Sequence, residues 1–232
     1  MSAIFASDEW QTMVSILPDL PFATWESFYA TVVTTVLALV IGLPLGVLLV
    51  VGDRDGLLPL PRWLMAVLNV VINLLRSVPF LILMIMVQPL AQVILGTTIG
   101  TAASIVPLVA ASFPFVARLV ETSLREVDGG VIEAAESMGA SPFQIIAKVM
   151  IPESLPSLIA NVTIALTTIL SYSAMAGIIG GGGLGQIAIN YGYYRYRYLT
   201  MVVATALLVV LVQLFQSIGT RLAARCDKRL RK

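Results

Sequence analysis

Residues 27–52 read SFYATVVTTVLALVIGLPLGVLLVVG, 26 residues without a charge. As an α-helix this stretch is about 39 Å long at ~1.5 Å per residue, enough to cross a ~30 Å hydrocarbon core. Gly42 and Gly46 flank Pro44 on a small-xxx-small face, the pattern of a kinked packing surface rather than of a substrate contact. The rest of the chain has the same character. Of 232 residues, 58% are hydrophobic and 12% charged, about half the ~25% usual in soluble domains. Mean hydropathy is +0.94. One soluble core of this size cannot hide so much apolar surface, and the same composition excludes disorder. A net charge of +1 offers no field for nucleic acid. The absence of histidine removes histidine-based zinc sites and histidine general-base catalysis. Cys226 is the single cysteine, so one chain holds neither a disulfide nor a thiolate cluster, and its basic surroundings fit the reducing cell interior.

Gaps between charges predict one all-α integral membrane domain over 1–232. Its five transmembrane helices lie at about 27–51, 63–87, 102–122, 153–178 and 199–219. Ahead of the first, Asp8, Glu9, Asp19 and Glu26 occur without Lys or Arg, which argues against a signal peptide and reads as a solvated face. Trp10, Phe22, Trp25 and Phe28 read as interface aromatics, as does YGYYRYRY at 191–198. Asp53-Arg54-Asp55-Gly56 with Pro59 and Pro61 is a polar turn, and Ala91–Gly100 a short re-entrant or interfacial loop. With five spans, Arg54, Arg62, Arg125, Lys148, Arg221, Arg225, Lys228, Arg229, Arg231 and Lys232 share one side, and Arg195 and Arg197 the other. Ten against two places the N-terminus outside and the C-terminus inside.

Residues 124–151 then form a cytoplasmic loop, the longest polar stretch within the chain. Its pattern predicts two short helices. Val131, Ala134, Ala135 and Met138 share one face of the first, with Glu133 and Glu136 off it. Gly139 ends that helix in a left-handed conformation. Ser141 caps the second, with Pro142 at its first position and Gln144 completing a capping box. Phe143, Ile146, Val149 and Met150 are its apolar surface, and Pro152 starts the next span. Two glutamates and few basic residues fit a helix pair that docks into a groove of a cytosolic partner better than one lying on an anionic leaflet.

Glu133-Ala134-Ala135, then Gly139, then Val149-x-Ile151-Pro152 resembles the EAA loop of bacterial type I ABC importer permeases, with Val149 and Ile151 as conservative departures. Arg76-Ser77-Val78-Pro79-Phe80, Val120-Glu121, Ser171-Tyr172-Ser173-Ala174-Met175-Ala176-Gly177, Gly182-Gly183-Leu184-Gly185-Gln186 and Tyr191-Gly192-Tyr193 resemble methionine importer permease subunits over residues 25–220. The resemblance implies a homodimer in the bacterial inner membrane. Two cytoplasmic ATPase subunits, which carry the ATP and Mg, dock beneath it, and an extracytoplasmic binding protein delivers the cargo. The chain itself is then a permease without cofactor or enzymatic step, moving methionine, its chirality left open, by alternating access. ATPase coupling falls on Glu133, Ala134, Ala135, Gly139, Ser141, Pro142, Phe143 and Pro152.

Candidates for the pathway or gate are Arg76, Ser171, Tyr172, Ser173 and Met175. Arg76 is a charge about thirteen residues into the second span, which costs about 2.5–3.5 kcal/mol. It either lines the pathway and meets a carboxylate or sits at a helix end on carbonyls or lipid phosphate. Met175 suits a soft plug, and the serines suit either weak polar contacts or helix packing. Glu121 and Glu153 flank the loop and are expected to bond to Arg118, Arg125 or Lys148. Gly180–Gly185 matches G-x-G-x-x-G by letter but follows a span rather than a strand, and reads as flexible backbone near a gate or a binding-protein dock. No G-x-x-x-x-G-K-[ST] occurs. A different amino acid as cargo is the alternative. A proton-coupled secondary transporter and a membrane enzyme both lack the intramembrane carboxylate, histidine or nucleophile–base pair they need.

Overall fold

The charge-free stretch belongs to a longer helix than its composition suggests. In the computed structural model, which describes residues 7–227, α1 is Ser7–Ile16 and α2 runs for 32 residues, Leu20–Val51. The acidic N-terminal stretch is therefore largely helical, and α2 begins two turns before Ser27. Lys228, Arg229, Arg231 and Lys232 of the basic tail lie outside the described residues, as does the side chain of Asp8. Next come α3 (Arg62–Ser77), α4 (Phe80–Leu95), α5 (Thr101–Arg125) and α6 (Gly129–Ser137). The chain continues through α7 (Pro142–Ile145), a π-helical turn Ile146–Met150, α8 (Ile151–Glu153), α9 (Leu155–Ala176), α10 (Gly183–Ile187) and α11 (Tyr198–Cys226). No strand occurs among the described residues.

Four helical stretches are long and apolar enough to cross a membrane: 20–51, 101–125, 155–179 and 198–226. The expected second span is not one helix but two. Val78 (ψ 130°) and Pro79 (ψ 131°) leave the helical region, and the apolar pair α3–α4 is a broken span or a re-entrant loop, which makes the candidate spans four, or five if the pair counts as one. Pro79 is the cause: its ring disfavours helical backbone at Val78 and it brings no N–H. Nor is Ala91–Gly100 a loop throughout. α4 continues through Pro89 to Leu95, and Gly96 (φ +73°) ends it in the left-handed region. The turn of residues 96–100 is stitched by Gln88 Nε2 donating to the Thr98 carbonyl at 3.1 Å and Gln92 Nε2 to the Gly96 carbonyl at 3.0 Å.

The chain forms two compact units, and α2, α5, α9 and α11 contribute residues to both. The unit of residues 1–36, 79–111 and 166–215 has an apolar core of Met13, Ile16, Leu20, Ala23, Leu170, Leu184, Leu211 and Phe215. Phe28 faces this core, its ring stacked on Phe215 at 5.5 Å between centroids, while Trp10, Phe22 and Trp25 stay exposed as interface aromatics would.

The other unit, described over residues 37–78, 112–165 and 216–227, is held by close helix contacts. A Cβ at Gly42 would come within 2.8 Å of Val116 and one at Gly46 within 2.6 Å of Val120, so the small-residue face of α2 does pack, on α5. Asn161 Nδ2 donates to Ser123 Oγ at 2.8 Å and to the Leu119 carbonyl at 3.3 Å, clasping α9 to α5 where backbone alone offers no lateral bond.

Candidate functional site

The loop of residues 126–154 is a run of short helices joined at a capped turn, residues 138–141. Asp128 opens α6: its Oδ1 accepts from the Gly130 N–H at 2.7 Å. The helix thus starts two residues before Val131, on a cap not anticipated from the sequence. At the other end Gly139 has φ +78°, its N–H donates to the Glu136 carbonyl at 2.9 Å, and the Ala140 N–H reaches the Ala135 carbonyl at 3.1 Å. This is the left-handed stop that the glycine predicts. Ser141 and Gln144 form the full capping box, with Ser141 N–H donating to Gln144 Oε1 at 2.9 Å and Gln144 N–H to Ser141 Oγ at 3.4 Å. Pro142 takes the first helical position.

Pro152 does not begin the following span, as expected, but sits in α8, directly after the π-helical turn. The wider turn relieves the clash a proline ring makes with the carbonyl four residues back, and the missing N–H falls where helix bonding is already rearranged. Ser154, at φ −81° and ψ −2°, is the joint to α9.

Burial sorts the apolar residues differently from their expected grouping. Ala135, Ile145 and Met150 are buried, and Ile132, Ile146 and Val149 are half-buried. Val131 and Ala134 are exposed, and Met138 (82%) and Phe143 (78%) stand almost free on either side of the Gly139 turn. The inward face is therefore Ile132/Ala135, and Val131, Ala134, Met138 and Phe143 are an unpartnered outer set. Glu133 and Glu136 line a recess of about 620 Å³ with Asp53, Asp55, Arg125 and Met150. Glu133 makes no hydrogen bond or ion pair among the described residues.

Above this recess runs a chain of charges. Asp53 Oδ2 accepts from Arg125 Nη2 at 2.8 Å, and Arg125 Nε donates to Glu121 Oε1 at 3.1 Å. Glu121 Oε2 meets Arg118 Nη1 at 2.6 Å, and Arg118 Nη2 donates to Asn69 Oδ1 at 2.7 Å and Asn73 Oδ1 at 3.1 Å. The polar turn after α2, α3 and α5 are thereby joined. The Arg125 guanidinium, with help from the Arg54 N–H, holds the Asp53 carboxyl below its usual range. Of the expected partners, Arg118 and Arg125 both bind Glu121; no bond joins Glu153 to Lys148 among the described residues.

The gate candidates fall in two places. Ser171, Tyr172, Ser173 and Met175 occupy two turns of α9 in the first unit. Ser171 and Met175 are exposed, Ser173 is buried, and the Tyr172 ring stacks on Phe80 at 4.1 Å between centroids and 10° between planes. Phe80 stands in the quoted Arg76–Phe80 stretch, but nothing in its spacing links it to Tyr172. Arg76 belongs to the second unit, in the last turn of α3, exposed, where a cation meets the negative end of the helix. The helix starts at Arg62 and ends just after Arg76 because the backbone leaves the helical region at Val78. Among the described residues no three carboxylates or thiols gather to hold a metal ion.

The glycine stretch is fastened rather than loose. Glu26, expected on a solvated face, reaches it: Oε2 accepts from the Gly183 N–H at 2.9 Å and Oε1 from Thr101 Oγ at 2.6 Å. Ser27 Oγ accepts from the Leu184 N–H at 2.9 Å and Gln186 Oε1 from the Gly182 N–H at 2.8 Å.

Membrane-length apolar helices, one of them broken, together with a doubly capped polar helix pair between two spans, define an integral, multi-pass membrane protein of the permease class. The chain belongs to the family of binding-protein-dependent transport system inner membrane components, which matches residues 42–232. It is 51% identical over 210 residues to a probable D-methionine transport system permease protein of Vibrio cholerae, covering 89% of this chain and 92% of that one. It is 45% identical over 164 residues to the methionine import system permease protein of Bacillus subtilis, covering 71% of this chain and 74% of that one. Among solved structures, the MetNI methionine ABC transporter in inward-facing conformations matches with TM-score 0.89 and 42% identity, over 92% of this chain and 99% of that chain. An amino acid ABC transporter crystallised with histidines shares the fold, with TM-score 0.68 and 21% identity over 92% of this chain and 98% of that chain.

Proposed function

We propose that this chain is the membrane-spanning subunit of an ATP-driven importer of methionine in the bacterial cytoplasmic membrane. The observation that carries the reading is the doubly capped element 128–153, whose Met138 and Phe143 are exposed apolar side chains on an otherwise ordered polar scaffold. Large apolar side chains left in the open on such a scaffold mark a docking surface. The relatives named for methionine transport supply the cargo.

In this reading the element docks into an ATPase subunit on the cytoplasmic side, with the chain's N-terminus outside and its C-terminus inside. Two copies pair around a central pathway, two ATPase subunits bind beneath, and an extracytoplasmic binding protein delivers methionine from above. Glu133, Ala134, Ala135, Gly139, Ser141, Pro142, Phe143 and Pro152 carry the coupling, and Ser171, Tyr172, Ser173, Met175 and Arg76 contribute to the pathway. No bond in the cargo changes. The ATPase states bind the two conformations of the permease with different affinity and so shift its population between inward- and outward-facing forms. The capped turn makes this possible, because a rigid helix pair passes on a displacement that a flexible loop would absorb.

The test is purification of the tagged chain from native membranes in mild detergent, with an ATP-hydrolysis assay of the eluate and uptake of labelled methionine by membrane vesicles. A stoichiometric ATPase and ATP-dependent uptake, both lost on Glu133→Lys or Phe143→Asp, are expected. An intact chain that never carries an ATPase would refute the reading.

A further inference from the structure

Glu26 is a carboxylate inside a membrane-length helix, and no Lys or Arg pairs with it among the described residues. Its two oxygens are both engaged, and by elements remote in sequence. Oε2 takes the Gly183 N–H at 2.9 Å and Oε1 the Thr101 hydroxyl at 2.6 Å. Neighbouring bonds converge on the same segment. Ser27 Oγ takes the Leu184 N–H at 2.9 Å, the Gly100 N–H reaches the Gly180 carbonyl at 2.9 Å, and Ser104 Oγ donates to the Gly181 carbonyl at 3.3 Å.

Glycines are required at this fastening. Gly182 (φ +76°) and Gly183 (φ +73°) are left-handed, and a Cβ would strike Thr101 at the first and Ser27 at the second. A run of four glycines is the most pliable backbone a chain can have. Here it is separated from Met175 and Ala176 by the single 3₁₀ turn Gly177–Ile179 and is tied to α2 and α5.

We propose that Glu26 is a positioning residue of the transport cycle: its carboxylate fastens the glycine-rich segment 180–185 to α2 and α5, so that the backbone following Met175 moves with those helices as one body. The inference rests on the transport reading above. Without the tie, ATP is hydrolysed but the movement is not transmitted to the segment beside Met175. A glutamine serves in place of the glutamate, because its carbonyl accepts from the Gly183 N–H while its amide donates to Thr101 Oγ. An alanine does not.

The experiment uses the complete complex, with ATPase subunits and binding protein, in proteoliposomes, and reads labelled methionine moved per ATP hydrolysed. Assembly is checked by gel filtration. Glu26→Ala is expected to lower that ratio about tenfold in an intact complex, Glu26→Gln to stay within about threefold of wild type, and Thr101→Val, which keeps the shape and deletes one donor, to fall between them. A wild-type ratio in an assembled Glu26→Ala complex overturns the inference alone. So does a Glu26→Gln defect as deep as that of alanine. Should Glu26→Ala fail to assemble, Thr101→Val decides, and an unchanged ratio there overturns the inference. Absence of ATP-dependent uptake by the wild-type complex is a separate result, which removes the transport reading itself.

Discussion

Replacement of Gly139 separates backbone geometry from partner packing. The residue stands at φ +78°, and a Cβ built on it would find no heavy atom within 4 Å. Within the chain its whole requirement is therefore conformational. An L-residue in the left-handed region costs about 1–2 kcal/mol. Set against an open junction that has lost the Gly139–Glu136 and Ala140–Ala135 bonds, that cost lowers the occupancy of the closed turn by up to about 5- to 30-fold. Asparagine tolerates the region far better than alanine, and β-branched valine tolerates it worst. Backbone cost thus orders the variants Gly139, Gly139→Asn, Gly139→Ala, Gly139→Val, although asparagine is larger than alanine. Titration of the ATPase subunit onto the permease in nanodiscs reads apparent affinity directly, and methionine uptake reads its consequence. The thermal midpoint of the permease alone is expected to move little, since a side chain at 139 meets nothing within the chain. Should alanine outperform asparagine, side-chain volume against the partner would be the governing quantity and the conformational argument would fail.

Other outcomes follow from the same geometry. Phe143→Ala and Met138→Ala should leave thermal stability unchanged, since both side chains are mostly exposed, while weakening ATPase capture at least tenfold; equal loss of stability and capture would count against a docking face. Glu121→Gln leaves Arg118 and Arg125 short of their shared carboxylate at a side chain 12% exposed and should cost about 1–3 kcal/mol. Asp53→Asn, at 48% exposure, should cost under about 1 kcal/mol, the order being checked by thermal unfolding in one detergent. The Asp53 carboxyl is held below its unfolded value, so its contribution is present above the unfolded pKa and is lost as pH falls through the folded one. Asp53→Asn should therefore narrow its stability gap from wild type only below about pH 4. Gly46→Ala should destabilise more than Gly42→Ala, by about 1–3 kcal/mol, because its Cβ would press on the Ala117 carbonyl at 2.7 Å as well as on Val120; Val120→Ala should recover only the Cγ1 contact, since its equally close Cβ remains.

Local chemistry was legible in the sequence wherever cause and effect lie within one turn of helix. The stop at Gly139 and the Ser141–Gln144 box are such cases, because their partners are three or four residues apart. The small face of α2 was legible too, since Gly42 and Gly46 announce a close approach without naming its partner, α5. Glu26 shows the opposite case. Four acids without a base look like a solvated surface, and only contacts 157 and 189 residues away turn Glu26 and Glu9 inward. The Asp53–Arg125–Glu121–Arg118 chain was half legible: Glu121 and its arginines are neighbours on one helix, while Asp53, Asn69 and Asn73 arrive from elsewhere.

Proline tests the same distinction more sharply. Pro44, Pro89, Pro107 and Pro114 all lie inside helices that continue, whereas Pro79 breaks one. The residue type alone does not separate them, because each lacks the N–H and each crowds the preceding turn. What differs is the company. At Pro79 the interrupted turn carries Arg76, and Ser77 Oγ already donates to the Asn73 carbonyl at 2.7 Å. A charge in the middle of a span is costly, and a helix C-terminus is a place where it costs less, since free carbonyls there face the cation. Break and charge therefore support each other: the proline frees the carbonyls, and the arginine stabilises a helix end inside an otherwise apolar run. On this argument Arg76→Leu removes the reason for the end but not its proline, and should destabilise the α3–α4 junction. Pro79→Ala should let helix extend across Val78 and strand Arg76 in its interior. The double variant is then expected to tolerate the continuous helix better than Pro79→Ala alone, by up to about 2.5–3.5 kcal/mol. Amide exchange at residues 77–81 measures this directly: protection rising from Pro79→Ala to the double variant supports the coupling, and identical protection in the two would show that charge and break are independent.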